Sequence, residues 1–234
     1  MLSSLVQSTF RAVPPIHRAG YPFILGGVVV TILLWLLWGP LGWIALVLTL
    51  YMAFFFRDPV RVTPLAPGLV VAPADGRVTA VDHAVPPADL ALGLDPLPRV
   101  SIFLSVLDVH VNRAPVTGRI ARIAYRPGAF LNAELDKASE DNERNCLVIE
   151  TPRGDVGVVQ IAGFVARRIV CSVRRDEDVA IGSRFGLIRF GSRLDVYLPA
   201  GTALRVGIGQ RAVGGETVIA EFGGAEVRAG FLPQ

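Results

Sequence analysis

The distribution of hydrophobic positions divides this chain in two. From Tyr21 to Phe56 there are 36 residues without a charge, interrupted only by Gly39-Pro40. Each half is 18 residues long, close to the roughly 20 that a helix needs to cross the hydrocarbon core of a bilayer. A Gly-Pro pair in mid-stretch favours a turn over one continuous span. The pattern therefore predicts a transmembrane hairpin of two helices over 21–56, after a short N-terminal segment, 1–20. A secretory signal would be a shorter apolar run ending at small residues, whereas this one ends in Phe54-Phe55-Phe56-Arg57.

After Arg57 the texture changes to short apolar runs punctuated by Gly and Pro. The predicted strands are Leu69–Ala72, Arg77–Val81, Arg99–Leu107, Gly118–Tyr125, Asn145–Glu150, Val156–Ala162, Arg168–Val173, Gly186–Phe190, Arg193–Leu198, Ala203–Val206 and Thr217–Phe222. Such spacing reads as a mainly β domain over 57–234, a barrel or sandwich. Ala129 to Asn142 has helix-like composition, and its Asp, Glu, Asn and Ser fit a mobile loop equally well. Ala84 to Pro98, with its four prolines, reads as a surface excursion. Two pieces, 71–78 and 206–220, resemble the barrel-sandwich elements of lipoyl and biotinyl domains. Those domains present a lysine at a hairpin tip, and the only lysine here is Lys137, far from either piece.

Charge adds an orientation. Arg11 and Arg18 precede the hairpin, and Arg57 and Arg61 follow it. Basic flanks stay cytoplasmic, so the β domain is expected on the cytoplasmic side of the inner membrane. The formal net charge is +3, and 22 of the 23 basic residues are Arg. Arginine forks suit phosphate, although a GC-rich genome accounts for scarce lysine equally well. Nucleic acid would call for a denser basic stripe. With three histidines and only Cys146 and Cys171, no metal site is expected.

Three places carry candidate chemistry. His110 ends an apolar run, with Asp108, Asn112 and Arg113 crowded around it. Continued strand alternation would put Leu104, Val106, Asp108 and His110 on one face. Imidazole has the pKa for proton transfer near neutrality. Asp75 lies in Pro-Ala-Asp-Gly, which is a turn signature and also a source of a carboxylate. Ser192 follows Gly191 between two predicted strands, and Gly182-Ser183-Arg184 repeats the same tripeptide. Glycine offers an unhindered carbonyl and unusual dihedrals, and the serine hydroxyl one residue on can attack that carbonyl.

Taken together, these segments resemble the short, membrane-anchored form of phosphatidylserine decarboxylase. The resemblance rests on Phe55-Phe56-Arg57-Asp58-Pro59-Val60-Arg61, on Ala72-Pro73-Ala74-Asp75-Gly76 and on Leu107-Asp108-Val109-His110-Val111-Asn112-Arg113-Ala114-Pro115. It also rests on the loop from Asn132 to Asn145, and on Phe190-Gly191-Ser192-Arg193. In the family a turn glycine precedes the processing site by about nine residues. Gly182 fits that turn, so the resemblance selects Gly191-Ser192 as the bond cut.

The resemblance implies that Asp75 orients His110 and that His110 activates Ser192. Self-cleavage would then leave a β chain, 1–191, and an α chain, 192–234, held as a heterodimer. Ser192 becomes a covalent pyruvoyl group, the only cofactor implied, which forms a Schiff base with the amine of membrane phosphatidylserine and releases CO2 and phosphatidylethanolamine. Longer members carry a second histidine where this chain has Arg113, which leaves His110 as the histidine available for both steps. Arg113 and Lys137 are candidates for the lipid phosphate. A homo-oligomer is compatible with the resemblance, and a nucleic-acid partner is not. The alternatives are a decarboxylase of another serine phospholipid, such as an archaetidylserine, and a non-enzymatic membrane adaptor.

Overall fold

The structure is a computed structural model, and it describes residues 14–128, 142–163, 168–189 and 191–224. The chain forms two compact units, residues 1–60 and 61–234.

The first unit holds a 3₁₀ turn (Arg18–Gly20) and two helices, α1 (Tyr21–Leu37) and α2 (Gly39–Phe55). Trp38 alone separates them, in an extended conformation. Pro22 and Pro40 fall in the first turns, where a helix has no internal partner for the missing N–H. The helices pack as a hairpin through small and paired polar groups. Thr31 and Thr49 each donate to the carbonyl four residues back, and their hydroxyls meet across the pair at 3.2 Å. Near the turn the Trp35 and Trp43 rings meet edge to face at 5.0 Å. The outer faces are apolar and exposed, with Leu36 and Leu37 among the most open. Helices that are apolar all round belong in a core or a membrane. The segment Arg18–Leu37 is long and apolar enough to span, and Gly39–Phe55 is slightly shorter.

The second unit is mainly β. Its largest element is a curled sheet of eight strands. In order these are β13 (Arg211–Ala212), β2 (Gly76–Ala84), β3 (Leu97–Leu104), β11 (Ser192–Tyr197), β7 (Val156–Ala162), β6 (Arg144–Glu150), β5 (Gly118–Arg126) and β9 (Asp178–Val179). Two three-stranded sheets complete it. One runs β1 (Leu69–Val71), β14 (Val218–Phe222), β12 (Thr202–Leu204), and the other β4 (Val111–Arg113), β10 (Arg184–Ile188), β8 (Ile169–Cys171). The main core lies inside the curl, with Val100, Ile102, Leu104, Val158, Leu194 and Val196 from adjacent strands. The outer face carries a smaller cluster around Leu90, Val159, Ile161 and Tyr197.

The two pieces expected to form barrel-sandwich elements lie side by side. Arg211 and Ala212 pair with Arg77 and Gly76, and β14 pairs with β1. One expected strand is shorter than its sequence promised. β3 stops at Leu104, and Ser105–Asp108 is a turn closed by Asp108 N donating to Ser105 O. His110 therefore does not share a strand face with Leu104. The segment 129–141, expected to be a helix or loop, lies outside the described residues.

Candidate active site

Two crossings of the chain between sheets create a corner. β3 leaves the eight-stranded sheet at Leu104 and re-enters the three-stranded sheet as β4. β10 and β11 make the reverse crossing alongside. On one side of the corner Ser192 pairs with Leu104; on the other Leu187 pairs with Val111, and Ile188 N donates to the His110 carbonyl at 3.3 Å. The residues between those pairings, His110 on one strand and Gly191 on the other, thereby fall in neighbouring crossings of the same corner. Sequence separation gives no hint of this; the shared register does.

Ser192 begins β11 and is fully buried. Strand alternation puts it on the face of Leu194 and Val196, which line the core. Among the described residues no group hydrogen-bonds its Oγ. Gly191 has φ +60, with open space where a Cβ would stand. Its carbonyl accepts a hydrogen bond from Gly163 N at 3.0 Å. A donor on that oxygen polarises the carbonyl and would hold negative charge developing there, as an oxyanion site does. A buried nucleophile beside a polarised carbonyl is an arrangement for acyl transfer.

His110 is fully buried, and its Nδ1 lies 3.0 Å from the Asp108 carbonyl. A carbonyl only accepts, so Nδ1 carries a proton, and in the neutral form of the ring the lone pair is at Nε2. The partner described at Nδ1 is the backbone of Asp108. The Asp108 carboxylate holds the turn in turn, accepting from Ser105 N and Oγ at 2.8 and 2.7 Å and from Arg211 at 2.6 Å. Asp75 accepts from Gly214 N at 2.8 Å and from Arg61 at 2.6 Å. Burial pushes its carboxyl above the usual range, opposed by the Gly214 N–H and the Arg61 guanidinium, with the Asp108 charge adding a further upward push.

Arg113 is buried, and its Nη1 donates to the Gly182 carbonyl at 3.0 Å. Gly182, with φ +77, is the turn glycine that the sequence singled out. Asn112 joins a buried amide chain in which Asn145 donates to Gln160 and Gln160 donates to Asn112, at 2.8 and 2.7 Å. Beside Ser192, Arg193 and Asp195 form a buried ion pair on the opposite sheet face. Lys137 and Phe190 lie outside the described residues. Burial raises the Cys146 thiol to about 12, so it offers no thiolate near neutrality.

Sequence reasoning missed the roles of Asp108, Arg61 and Gly163. Asp108 was visible only as part of a polar cluster. Arg61 read as a membrane-flanking charge. Gly163 acts through its backbone, which leaves no signature in residue type.

The sequence model of one protein family, described as phosphatidylserine decarboxylase, matches residues 48–220. That is more than half of the chain, and the matched span contains Asp75, His110, Gly191 and Ser192.

Proposed function

Because the chain belongs to the phosphatidylserine decarboxylase family, we propose that it converts phosphatidylserine to phosphatidylethanolamine through a pyruvoyl group made from its own Ser192. The observation that carries this reading is the buried Ser192 hydroxyl next to a Gly191 carbonyl already bonded to Gly163 N.

His110 Nε2 takes the Ser192 proton as Oγ bonds to the Gly191 carbonyl carbon. The Gly163 N–H stabilises the charge on the carbonyl oxygen, and the C–N bond breaks to leave an ester and a free Ser192 amine. Loss of the Ser192 Cα proton with cleavage of the Cβ–O bond releases the Gly191 carboxylate. Water then displaces ammonia, leaving a ketone at position 192. The residues present fit such a group, since Ser192 is buried and the buried His110 supplies an imidazole at the same corner. The keto-acyl terminus supplies an electron sink for the electrons left when CO2 departs. His110 returns a proton to the substrate carbon from Nε2. Arg113 and Lys137 are the proposed contacts for the lipid phosphate, Arg113 lying three residues beyond His110.

The two fragments would stay together without a covalent link. β11, β13 and β14 belong to 192–234 and pair with β1, β2, β3 and β7 of 1–191. The apolar hairpin serves the substrate, because exposing each lipid CH2 to water costs about 0.8 kcal/mol. An enzyme held at the membrane avoids that cost. The basic flanks support a cytoplasmic active site.

The test uses the purified full chain with phosphatidylserine vesicles. The wild type is expected to release CO2 and form phosphatidylethanolamine, and to lose that activity after hydrazine treatment. Ser192→Ala is expected to show neither activity nor hydrazine-reactive carbonyl. Activity that survives both would overturn the reading.

A further inference from the structure

Two turns of the β unit carry apolar side chains into solvent beside the candidate active site. In the turn between β3 and β4, Val106 is 41% and Leu107 61% exposed. In the turn Gly207–Gln210, Ile208 is 69% exposed. The second turn is pinned to β2, because Gly209 N donates to Val78 O at 2.8 Å. An ion pair joins the two turns, with Arg211 Nη2 at 2.6 Å from Asp108 Oδ1. These residues therefore form one patch, unlike the scattered single apolar residues that surfaces ordinarily show. The Asp108 that closes the patch also anchors His110, so the patch rims the corner that holds Gly191 and Ser192.

Charge indicates what covers it. Arg211 stands directly opposite Arg77 in the β13–β2 pairing, and both are exposed. Directly opposite residues share a sheet face, and like charges there repel. Asp108 neutralises one of the two, and no acidic side chain is bonded to Arg77 among the described residues. The surplus positive charge calls for an anion beside aliphatic turn tips. Apolar side chains flanked by arginines are the composition that partitions into an anionic lipid interface.

We propose that this patch docks the β unit onto an anionic bilayer. Val106, Leu107 and Ile208 enter the boundary between headgroups and acyl chains, while Arg77 and Arg211 meet lipid phosphates. The inference rests on the lipid-decarboxylase reading for its purpose, since docking would bring the corner to a substrate whose tails stay in the membrane. Its test needs no catalysis.

The full chain, carrying Cys171→Ser, is reconstituted in nanodiscs of phosphatidylcholine with phosphatidylglycerol. An environment-sensitive dye is attached at Leu107→Cys or Ile208→Cys, with Val106→Cys as a substitute where either fails to fold by circular dichroism. Leu94→Cys is the control. Leu94 is 83% exposed and precedes β3, whose length of about 25 Å separates it from the turn at Ser105. The expected result is a blue shift, and quenching by lipids spin-labelled near the top of the acyl chain, at 107 and 208 but not at 94. Arg77→Glu, or discs of phosphatidylcholine alone, should weaken both effects. Dyes at 107 and 208 that behave like the one at 94 would overturn the proposal. So would a blue shift without lipid quenching accompanied by cross-linking to a second chain, which would make the patch an interface between copies. Two-chain processing is read on the same samples. Normal processing without quenching sinks only the docking, and quenching without processing sinks only the catalytic reading.

Discussion

Ser192 keeps a hydroxyl in a buried site without a hydrogen-bond partner among the described residues, an arrangement that costs about 1–3 kcal/mol. Such a cost is tolerated where strain and desolvation serve chemistry. The serine, the glycine before it and His110 were nameable as candidates in the sequence, the Gly191-Ser192 pair through the family resemblance and not through residue type alone. The support around them was not. A backbone carbonyl positions His110, and the carboxylate that shapes that backbone is Asp108. Asp108→Asn removes the charge that Ser105 and Arg211 bond to. It should lower stability by about 1–3 kcal/mol and slow self-cleavage, measured as a drop in thermal midpoint and a gel time course. Asp75 makes a different prediction. Its carboxyl is held above the usual range, chiefly by burial, so the folded chain binds its proton more tightly than the unfolded chain does. The stability this contributes is full below the ordinary carboxylate pKa and is lost as pH rises through the elevated value. The thermal midpoint of the wild type, relative to Asp75→Asn, should therefore fall as pH is raised from about 4 toward neutrality. A rising difference would refute the assignment.

At the scale of elements, the longer runs announced themselves, as did the three-residue strands β1, β8 and β12 that overlap longer predicted runs, while β4, β9 and β13 did not. Val156–Ala162 coincides with β7 residue for residue, since a β-branched, mostly apolar run of seven residues bounded by turn residues reads clearly as a strand. β4, β9 and β13 have two or three residues each, too few for any period to register. They exist because neighbouring strands offer unpaired edges. The end of β3 was misjudged for a related reason: Val106 and Leu107 extend an apolar run, yet they sit in a turn that the Asp108 carboxylate closes. The N-terminal hairpin, by contrast, was written in length and Gly-Pro alone. Its packing rests on close approach, for a Cβ on Gly42 would lie 2.5 Å from Trp35 Cγ. Gly42→Leu should push the helices apart near the turn and expose Trp38–Leu41 to protease in detergent, while the wild type stays resistant. Equal resistance would show that the hairpin does not depend on that contact.

At the scale of the molecule, the proposed function assigns two tasks to two units, holding the membrane to the apolar hairpin and the chemistry to the β unit. The family match covers the C-terminal end of the second helix and nearly all of the described β unit. The order of motifs pointed to the same family before any contact was known, because five weak signals in a fixed sequence are jointly specific. What the order of motifs left out is how the corner is built, since pairing between strands remote in sequence decides it. All of the proposed catalysis depends on one backbone rearrangement. Intact-mass measurement of the purified wild-type chain tests it most directly. The account predicts two species, one ending at Gly191 and one beginning at position 192 with a keto-acyl terminus in place of an amine. A single full-length species bearing an unmodified serine at 192 would contradict it.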